Sequence, residues 1–295
     1  MRYAARMARY AITGSTGRIG RAIHRALVSD HDVVGLDRSP CSATSMIADL
    51  CDEDALKRAF EGCEAVYHTA ALHAPHVDLL PDEEFDRVNV EGTDKVLRIA
   101  SQQGVRRVIL TSTTALYGYA SHDDGKATWI TEETTPQPRT IYHRTKLAAE
   151  ALARDASSDA LKIGVIRMSR CFPEAAPLMA VYRLHRGIDA RDVAKAHLAA
   201  AQADFGRFGV FNISGQIPFN PCDCEALKSD AGVVLRERSP DLAEAFDVRQ
   251  WPLPRSIDRI YVTEKAQEVL GWKSEFGFAE VLDELDRGSS EVLPA

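Results

Sequence analysis

The chain is predicted to fold as an α/β protein, a doubly wound parallel sheet carrying a small irregular C-terminal lobe. Three observations predict this. Short β-rich runs alternate with longer helical patterns from the start of the chain. Several of those runs are almost continuously apolar, as strands covered on both faces must be. A glycine-rich turn joins the first strand to the first helix.

In chain order, "RYAIT" (Arg9 to Thr13), "DVVGLD" (Asp32 to Asp37), "AVYHTA" (Ala65 to Ala70) and "RVILTS" (Arg107 to Ser112) read as buried parallel strands. "KIGVIRM" (Lys162 to Met168) and "GVFNIS" (Gly209 to Ser214) read the same way. Helical patterns between them cover Ile19 to Val28, Glu53 to Glu61 and Phe85 to Gln103. In such sheets ligands bind beyond the carboxyl ends of the strands, at the switch point of the strand order. After Ser214 the pattern loosens: "GQIPFNPCD" and "QWPLPRS" break it, and "YVTEKAQEVLGW" and "GFAEVLDELDRG" read as two short helices around a Gly-Trp turn. This tail is expected to cover the ligand-binding edge of the sheet.

At 295 residues, with 45% hydrophobic and 27% charged, the chain can bury a large core. It holds no run of eighteen apolar residues, so no simple transmembrane helix is expected. A net charge of -7 argues against a general nucleic-acid surface. The opening "MRYAARMARYAITG" is basic without the apolar run of a secretory signal; it reads as a short disordered leader, with Met7 as an alternative start. Cysteines at 41, 51, 63, 171, 222 and 224 show no framework spacing, so reduced thiols and a cytoplasmic location are expected.

Directly after the first strand, "TGSTGRIGRAI" spaces Gly14, Gly17 and Gly20 three apart. Glycines there let the backbone turn tightly and approach a pyrophosphate, while the next helix offers its first amides to the anion. An ordinary strand-to-helix turn is the plainer alternative. Asp37 ends the second strand, where a carboxylate can accept from adenosine ribose hydroxyls and repel a 2′-phosphate. NAD is therefore expected, although the neighbouring Arg38 could pair with that phosphate and keeps NADP open. Asp37 could equally be a solvated strand end or a cap. In "IYHRTKLAAE", Tyr142 and Lys146 stand four apart at the front of a helical run, on one side of it.

Gly14, Asp37, "TSTTALYG" and Tyr-x-x-x-Lys together resemble the extended short-chain dehydrogenase/reductase superfamily, in its NAD-dependent epimerase/dehydratase branch, over nearly the whole length. "TGSTGRIG", with Thr16, Arg18 and Ile19 among the glycines, is similar to the family's T-G-x-x-G-x-x-G. "ADL", with Asp49 and Leu50, resembles its adenine-contacting segment. "VYHTAAL", with Thr69, Ala70 and Ala71, resembles the segment under the nicotinamide ribose, and "VNVEGT" brings its structural Asn as Asn89. "DARDVAKAHLAA" from Asp189 and "EKAQEVLGW" from Glu264 resemble two late signatures.

The resemblance implies a Rossmann-type NAD-binding domain over 8–170, rejoined by 189–215. It assigns 171–188 and 216–295 to a substrate-binding loop and C-terminal lobe. It also implies that Tyr142 exchanges a proton with the substrate oxygen, and that Lys146 lowers the phenol pKa and bonds the nicotinamide ribose. Thr113 would hold the substrate oxygen, with Ser112 second. Thr114 stands where family dehydratases carry an acidic residue, which makes dehydration the least expected reaction. Asn89 would support the cofactor and active-site helices, or simply cap a helix. His73 and His76 lack acidic or cysteine partners at ligand spacing, so no metal is expected and His73 reads as substrate-side.

Only Ser169 to Ile188 separate the strand ending at Met168 from Asp189, shorter than in sugar-nucleotide epimerases. "SRCFPEAAPLMAVYRLHRG", with Cys171 and Phe172, is similar to the "F-P-E" loop of uronate dehydrogenases, which oxidise a free sugar acid at its anomeric carbon. The arginine expected before Met179 is replaced by Leu178. A carboxylate clamp would have to come from Arg183, Arg186 or Arg170, which could equally be surface charge. The expected function is an NAD-dependent oxidoreductase of a sugar or sugar-like alcohol or ketone. A nucleotide-sugar epimerase with retained NAD and a non-catalytic NAD(P)-sensing protein are the rivals. The resemblance implies a homodimer through the helices near Phe85 to Gln103 and Tyr142 to Arg154, with no nucleic-acid or membrane partner.

Overall fold

The computed structural model describes residues 7–120 and 125–295. The expected N-terminal leader lies outside them, apart from Met7 and Ala8. Seven strands form one sheet: β1 (Arg9–Thr13), β2 (Asp32–Asp37), β3 (Met46–Ile47), β4 (Ala65–His68), β5 (Arg107–Thr113), β7 (Lys162–Met168) and β8 (Phe208–Ile213). Their order is β3-β2-β1-β4-β5-β7-β8. β6 (Thr128–Ile130) and β9 (Arg259–Tyr261) pair in a separate two-stranded sheet.

β1 runs parallel to β2, with Arg9 opposite Asp32, and to β4, with Tyr10 opposite Ala65. β4 runs parallel to β5. The order reverses at β1, so the carboxyl ends of β2, β1, β4 and β5 stand side by side. They bring Asp37, Gly14, Thr69 and Thr113 to one edge, as expected for a doubly wound sheet.

By its contacts the chain divides into two compact units. The first comprises 1–116, 138–167 and 193–211; the second comprises 117–137, 168–192 and 212–295. In the first, helices α1 (Arg18–Leu27), α2 (Glu53–Phe60), α3 (Asp82–Phe85), α4 (Gly92–Gln102) and α5 (Ile141–Ala156) follow the strands. Alternation of apolar residues buries Leu56, Phe60, Val96, Leu97 and Ile99 in one core with Val66, Val108, Ile163 and Val165 from the strands. Each fully buried Leu, Ile or Phe contributes about 1.5–3 kcal/mol of transfer free energy. Local signals start the helices: the Asp52 carboxylate accepts from Ala55 N at 2.9 Å to cap α2. Thr140 accepts from His143 N at 3.5 Å to cap α5, just after Pro136 and Pro138 exclude an earlier start.

The stretch from Phe85 to Gln103, which the periodicity reads as one helix, is divided. α3 passes into a π-helical segment, Asp86–Glu91, before α4 begins.

The second unit holds α6 (Ala176–Tyr182), α8 (Cys224–Ser229), α9 (Ala231–Arg238), α10 (Pro240–Val248), α11 (Glu264–Leu270) and α12 (Phe278–Asp286). α7 (Ala190–Gln202) begins in the second unit and continues into the first. The second unit has its own core, with Met179, Leu184, Phe219, Leu227, Leu235, Leu242, Phe246 and Ile260 buried together. Among the described residues no helix is long and apolar enough to cross a membrane.

Candidate active site

The glycine turn is built for a close approach. Gly14 has φ +76°, a conformation that side chains disfavour, and a Cβ there would meet Ala70 N at 2.5 Å and Thr69 Oγ1 at 2.8 Å. A Cβ on Gly20 would collide with the Gly14 carbonyl. Thr69 Oγ1 fastens the turn by donating to Thr13 O at 2.8 Å and Gly14 O at 3.2 Å. α1 then starts with Gly17 at its cap, no side-chain cap bond and no acidic residue in its first turn. Its positive end is therefore offered to an anion. A dinucleotide pyrophosphate fits this cradle, in which the closest backbone approaches fall at glycines.

Asp37 Oδ2 accepts from Thr16 N at 3.1 Å and Oδ1 from Ser39 N at 3.0 Å, so the carboxylate at the end of β2 is anchored to the glycine turn. The Arg38 guanidinium stands 3.9 Å from Asp49 and 3.7 Å from Glu84, its side chain about half exposed. Asp49 is gripped by Arg87 at 3.0 Å and by Cys51 N at 2.8 Å. Burial alone would push its pKa up; the Arg87 and Cys51 bonds more than offset that and hold it below the usual carboxylate range. Leu50 is a core residue packed against Gly92. Asn89 in the π segment is buried; its Oδ1 accepts from Leu72 N at 2.7 Å, and its Nδ2 donates to Leu72 O at 2.9 Å and Thr145 Oγ1 at 3.1 Å. It thus ties the segment after β4 to α5.

The structure brings Thr113, Tyr142 and Lys146 together. Thr113, the last residue of β5, lies near enough to the Tyr142 phenol to pull its pKa down, while its Oγ1 accepts from Ala115 N at 3.0 Å. Lys146, one turn along α5, is buried and donates from Nζ to Thr111 O at 2.6 Å. The Tyr142 ring is partly exposed but its hydroxyl is enclosed, and this enclosure pushes the phenol pKa up to about 12, against the lowering pull of Thr113. Burial pushes the Lys146 ammonium down to about 8, against the opposing pull of Glu150. As it stands the phenol is an acid. Working as a base requires further positive charge beside it.

Ser112 is turned elsewhere: its Oγ donates to the buried Glu150 carboxylate at 2.5 Å. Thr114 is buried in the turn after β5. His73 stacks edge-on against His76, and its backbone N donates to His76 Nδ1 at 3.0 Å. Burial, then His76, lowers the His73 pKa.

In the second unit Cys171 is buried and Phe172 is exposed under the Arg170 guanidinium. The three clamp candidates all have acidic partners. Arg183 is buried against Asp189 at 3.2 Å, Arg186 meets Asp258 at 3.2 Å, and Arg170 meets Glu174 at 2.6 Å. The two late signatures join here: Trp272 Nε1 donates to Asp192 O at 3.0 Å, and the Asp192 carboxylate accepts from Ser274 Oγ, Glu275 N and Phe276 N.

Three residues that sequence reasoning missed lie in the first unit with Thr113, Tyr142 and Lys146. Glu150 is paired with Arg167 at 2.7 Å, both buried. His68 is fully enclosed between Thr13 Oγ1 (2.6 Å) and Thr93 Oγ1 (3.0 Å), and burial pushes it down to about 3. An arginine inside the apolar run "KIGVIRM" was a usable signal, since a buried charge demands a partner. The glutamate one turn beyond Lys146 was the other half of it. For His68 the signal was only a polar residue in a buried strand.

The family model for the NAD dependent epimerase/dehydratase family matches residues 10–176. L-arabinose 1-dehydrogenase (NAD(P)(+)) of Haloferax volcanii is 36% identical over 157 residues, covering 50% of this chain and 60% of that enzyme. The 3 beta-hydroxysteroid dehydrogenase/Delta 5-->4-isomerase of Vaccinia virus (strain Ankara) is 30% identical over 200 residues, covering 60% of this chain and 56% of that protein. The chain thus spans little more than half the length of these curated relatives. A solved structure of a short-chain dehydrogenase/reductase superfamily protein from Agrobacterium tumefaciens with bound NAD superposes with a TM-score of 0.70 at 23% identity, covering 94% of this chain and 95% of that one.

Proposed function

The chain belongs to the NAD dependent epimerase/dehydratase family, and from that premise we propose that it is an NAD-dependent oxidoreductase of a sugar or sugar-like alcohol or ketone. The observation that carries this reading is the convergence of the Thr113 hydroxyl, the Tyr142 phenol and the Lys146 ammonium at the end of β5, in the unit that holds the glycine cradle. Gly14, Gly17 and Gly20 with the first turn of α1 would hold the pyrophosphate, and Asp37 the adenosine ribose. When bound, NAD supplies the hydride acceptor and, oxidised, a positive ring near the phenol.

The chain's own residues do the rest. Thr113 holds the substrate hydroxyl in line with the Tyr142 phenol oxygen. Tyr142, made more acidic by the Lys146 ammonium, takes the hydroxyl proton as the carbon is oxidised and returns it in the reverse direction. The 36% identity to an arabinose dehydrogenase supports a free sugar as substrate and leaves both coenzymes in play. The steroid enzyme among the relatives shows how widely substrates range around this kind of fold. A second reading, an epimerase that oxidises and re-reduces without releasing NADH, is favoured by the family's breadth and opposed by the short segment before Asp189.

Purified protein with NAD or NADP, offered free aldoses, uronic acids and polyols beside nucleotide sugars, tests both. NADH accumulating with a free sugar is expected. An isomerised nucleotide sugar without net NADH would make it an epimerase, and no turnover of any kind would sink the enzymatic reading. The same proposal extends to a homodimer through α4 and α5, checked by sedimentation, and to a cytoplasmic location.

A further inference from the structure

Behind Thr113, Tyr142 and Lys146 lies a buried polar cluster that the proposed chemistry does not use. Glu150 follows Lys146 by one turn of α5. Its carboxylate accepts from Ser112 Oγ at 2.5 Å and from Arg167, at 3.1 and 3.2 Å from Nε and 2.7 Å from Nη2. Glu150, Arg167, Ser112 and Lys146 are all buried. Two consecutive residues of β5 therefore hold two consecutive turns of α5. The Thr111 carbonyl bonds Lys146 and Ser112 bonds Glu150, while Thr113 lies near the Tyr142 phenol. An ion pair this deep desolvates two charges, and apolar residues of similar volume often serve as well for stability. Packing alone does not account for it.

We infer that Glu150, clamped by Arg167 and Ser112 one turn beyond Lys146 on α5, is the positioning residue for Lys146, keeping charged the ammonium that the Thr111 carbonyl holds at the end of β5. The inference rests on reading Lys146 as the cation that serves Tyr142. Burial works against the Lys146 charge, and Glu150 supplies the opposing pull. The other groups facing this region offer no substitute. From β4 comes His68, held neutral by burial, and from α5 the protonated Tyr142 phenol. From β7 comes the Arg167 cation. From α7 comes His197, buried, pushed down to about 4, with Nε2 on Thr111 Oγ1 at 2.7 Å. The π segment contributes the uncharged Asn89 at Thr145, and Asp82 of α3 faces Arg144 at the exposed end of α5. Removing the Glu150 charge would also take from the Arg167 cation the carboxylate it is paired with. Both changes favour neutral Lys146.

The test is an NMR titration of the coenzyme-free protein labelled with ¹³Cε-lysine, with the Lys146 signal assigned by its loss in Lys146→Met. In Glu150→Gln the Lys146 midpoint is expected to fall by about one pH unit, a tenfold change in its proton affinity. Glu150→Asp, which keeps the charge, should restore most of it. If Glu150→Gln does not fold, Glu150→Gln with Arg167→Met removes both charges of the pair and should show a smaller fall in the same direction. With a substrate in hand, Glu150→Gln should lower kcat about tenfold, leave KM nearly unchanged, and move the alkaline limb of the rate profile to lower pH. An unmoved Lys146 midpoint in a folded variant overturns the inference. Because the titration needs no turnover, a protein that shows the coupling yet acts on no substrate would sink the enzymatic reading while the Glu150–Lys146 coupling itself stands.

Discussion

The two units bury their charges in different ways. In the first, Lys146, Glu150 and Arg167 form one buried row from α5 to β7, Glu150 pulling on the Lys146 charge and pairing with Arg167. In the second, charges meet in direct contacts that fasten segments: Asp189 with Arg183 and Arg191, Asp258 with Arg186 and Arg259, Arg238 with Asp223, and Asp192 with the 274–276 turn. A row transmits a change at one member to its neighbours as a shifted titration. A direct contact fastens two segments and, when broken, leaves a desolvated partner. The first arrangement suits chemistry and the second suits construction, so substitutions in the two units should fail in opposite ways.

The largest effect should come from Tyr142→Phe. It removes the proton carrier and is expected to lower turnover by roughly 10²–10⁴-fold, while thermal unfolding moves little because the ring stays. Steady-state rates and a melting curve on one preparation check both halves. Asp192→Ala should do the reverse. It strips the partners of Ser274 Oγ and of the Glu275 and Phe276 amides, which should cost about 3 kcal/mol in urea unfolding. A variant of equal stability to wild type would break the contrast.

Gly14→Ala places a Cβ against Ala70 at a positive φ. Coenzyme affinity, followed by fluorescence titration, should drop at least about tenfold, or 1.4 kcal/mol. Lys146 gives a subtler signature. Its pKa falls from 10.5 to about 8 on folding, so between those values the unfolded chain binds the extra proton and stability gains from this group as pH rises. Below pH 8 the penalty is fully present. Lys146→Met should abolish that rise, seen by comparing unfolding free energies at pH 7.5 and 9.5, roughly either side of the folded value. The smallest effect belongs to the exposed pair Arg207–Asp159, where Arg207→Ala should change stability by no more than about 0.5 kcal/mol.

How much of this was legible in the sequence follows the same division. β1, β2 and β7 fall where their apolar runs predict, because a strand buried on both faces writes its whole length in one residue class. β4 ends at His68, short of Ala70, since Thr69 turns back to fasten the glycine loop. β3, β6 and β9 are two or three residues long and carry no period to read. The π segment escaped notice because its apolar positions continue those of a helix. Tyr142, Lys146 and Thr113 were legible from their spacing and the family pattern. Glu150 and Arg167 were legible only in part: an arginine inside the apolar run of β7 demands a partner, but no local spacing says that α5 supplies it. The arginines offered as a carboxylate clamp show the same limit: nothing near Arg183 in the sequence says that Asp189 folds back onto it.

The most direct measurement is the appearance of reduced nicotinamide absorbance with the best substrate of the panel, in wild type and Tyr142→Phe side by side under saturating coenzyme. The account predicts steady reduction by wild type and a rate at least about a hundredfold lower in the variant, with coenzyme binding intact. Equal rates in the two proteins would contradict it.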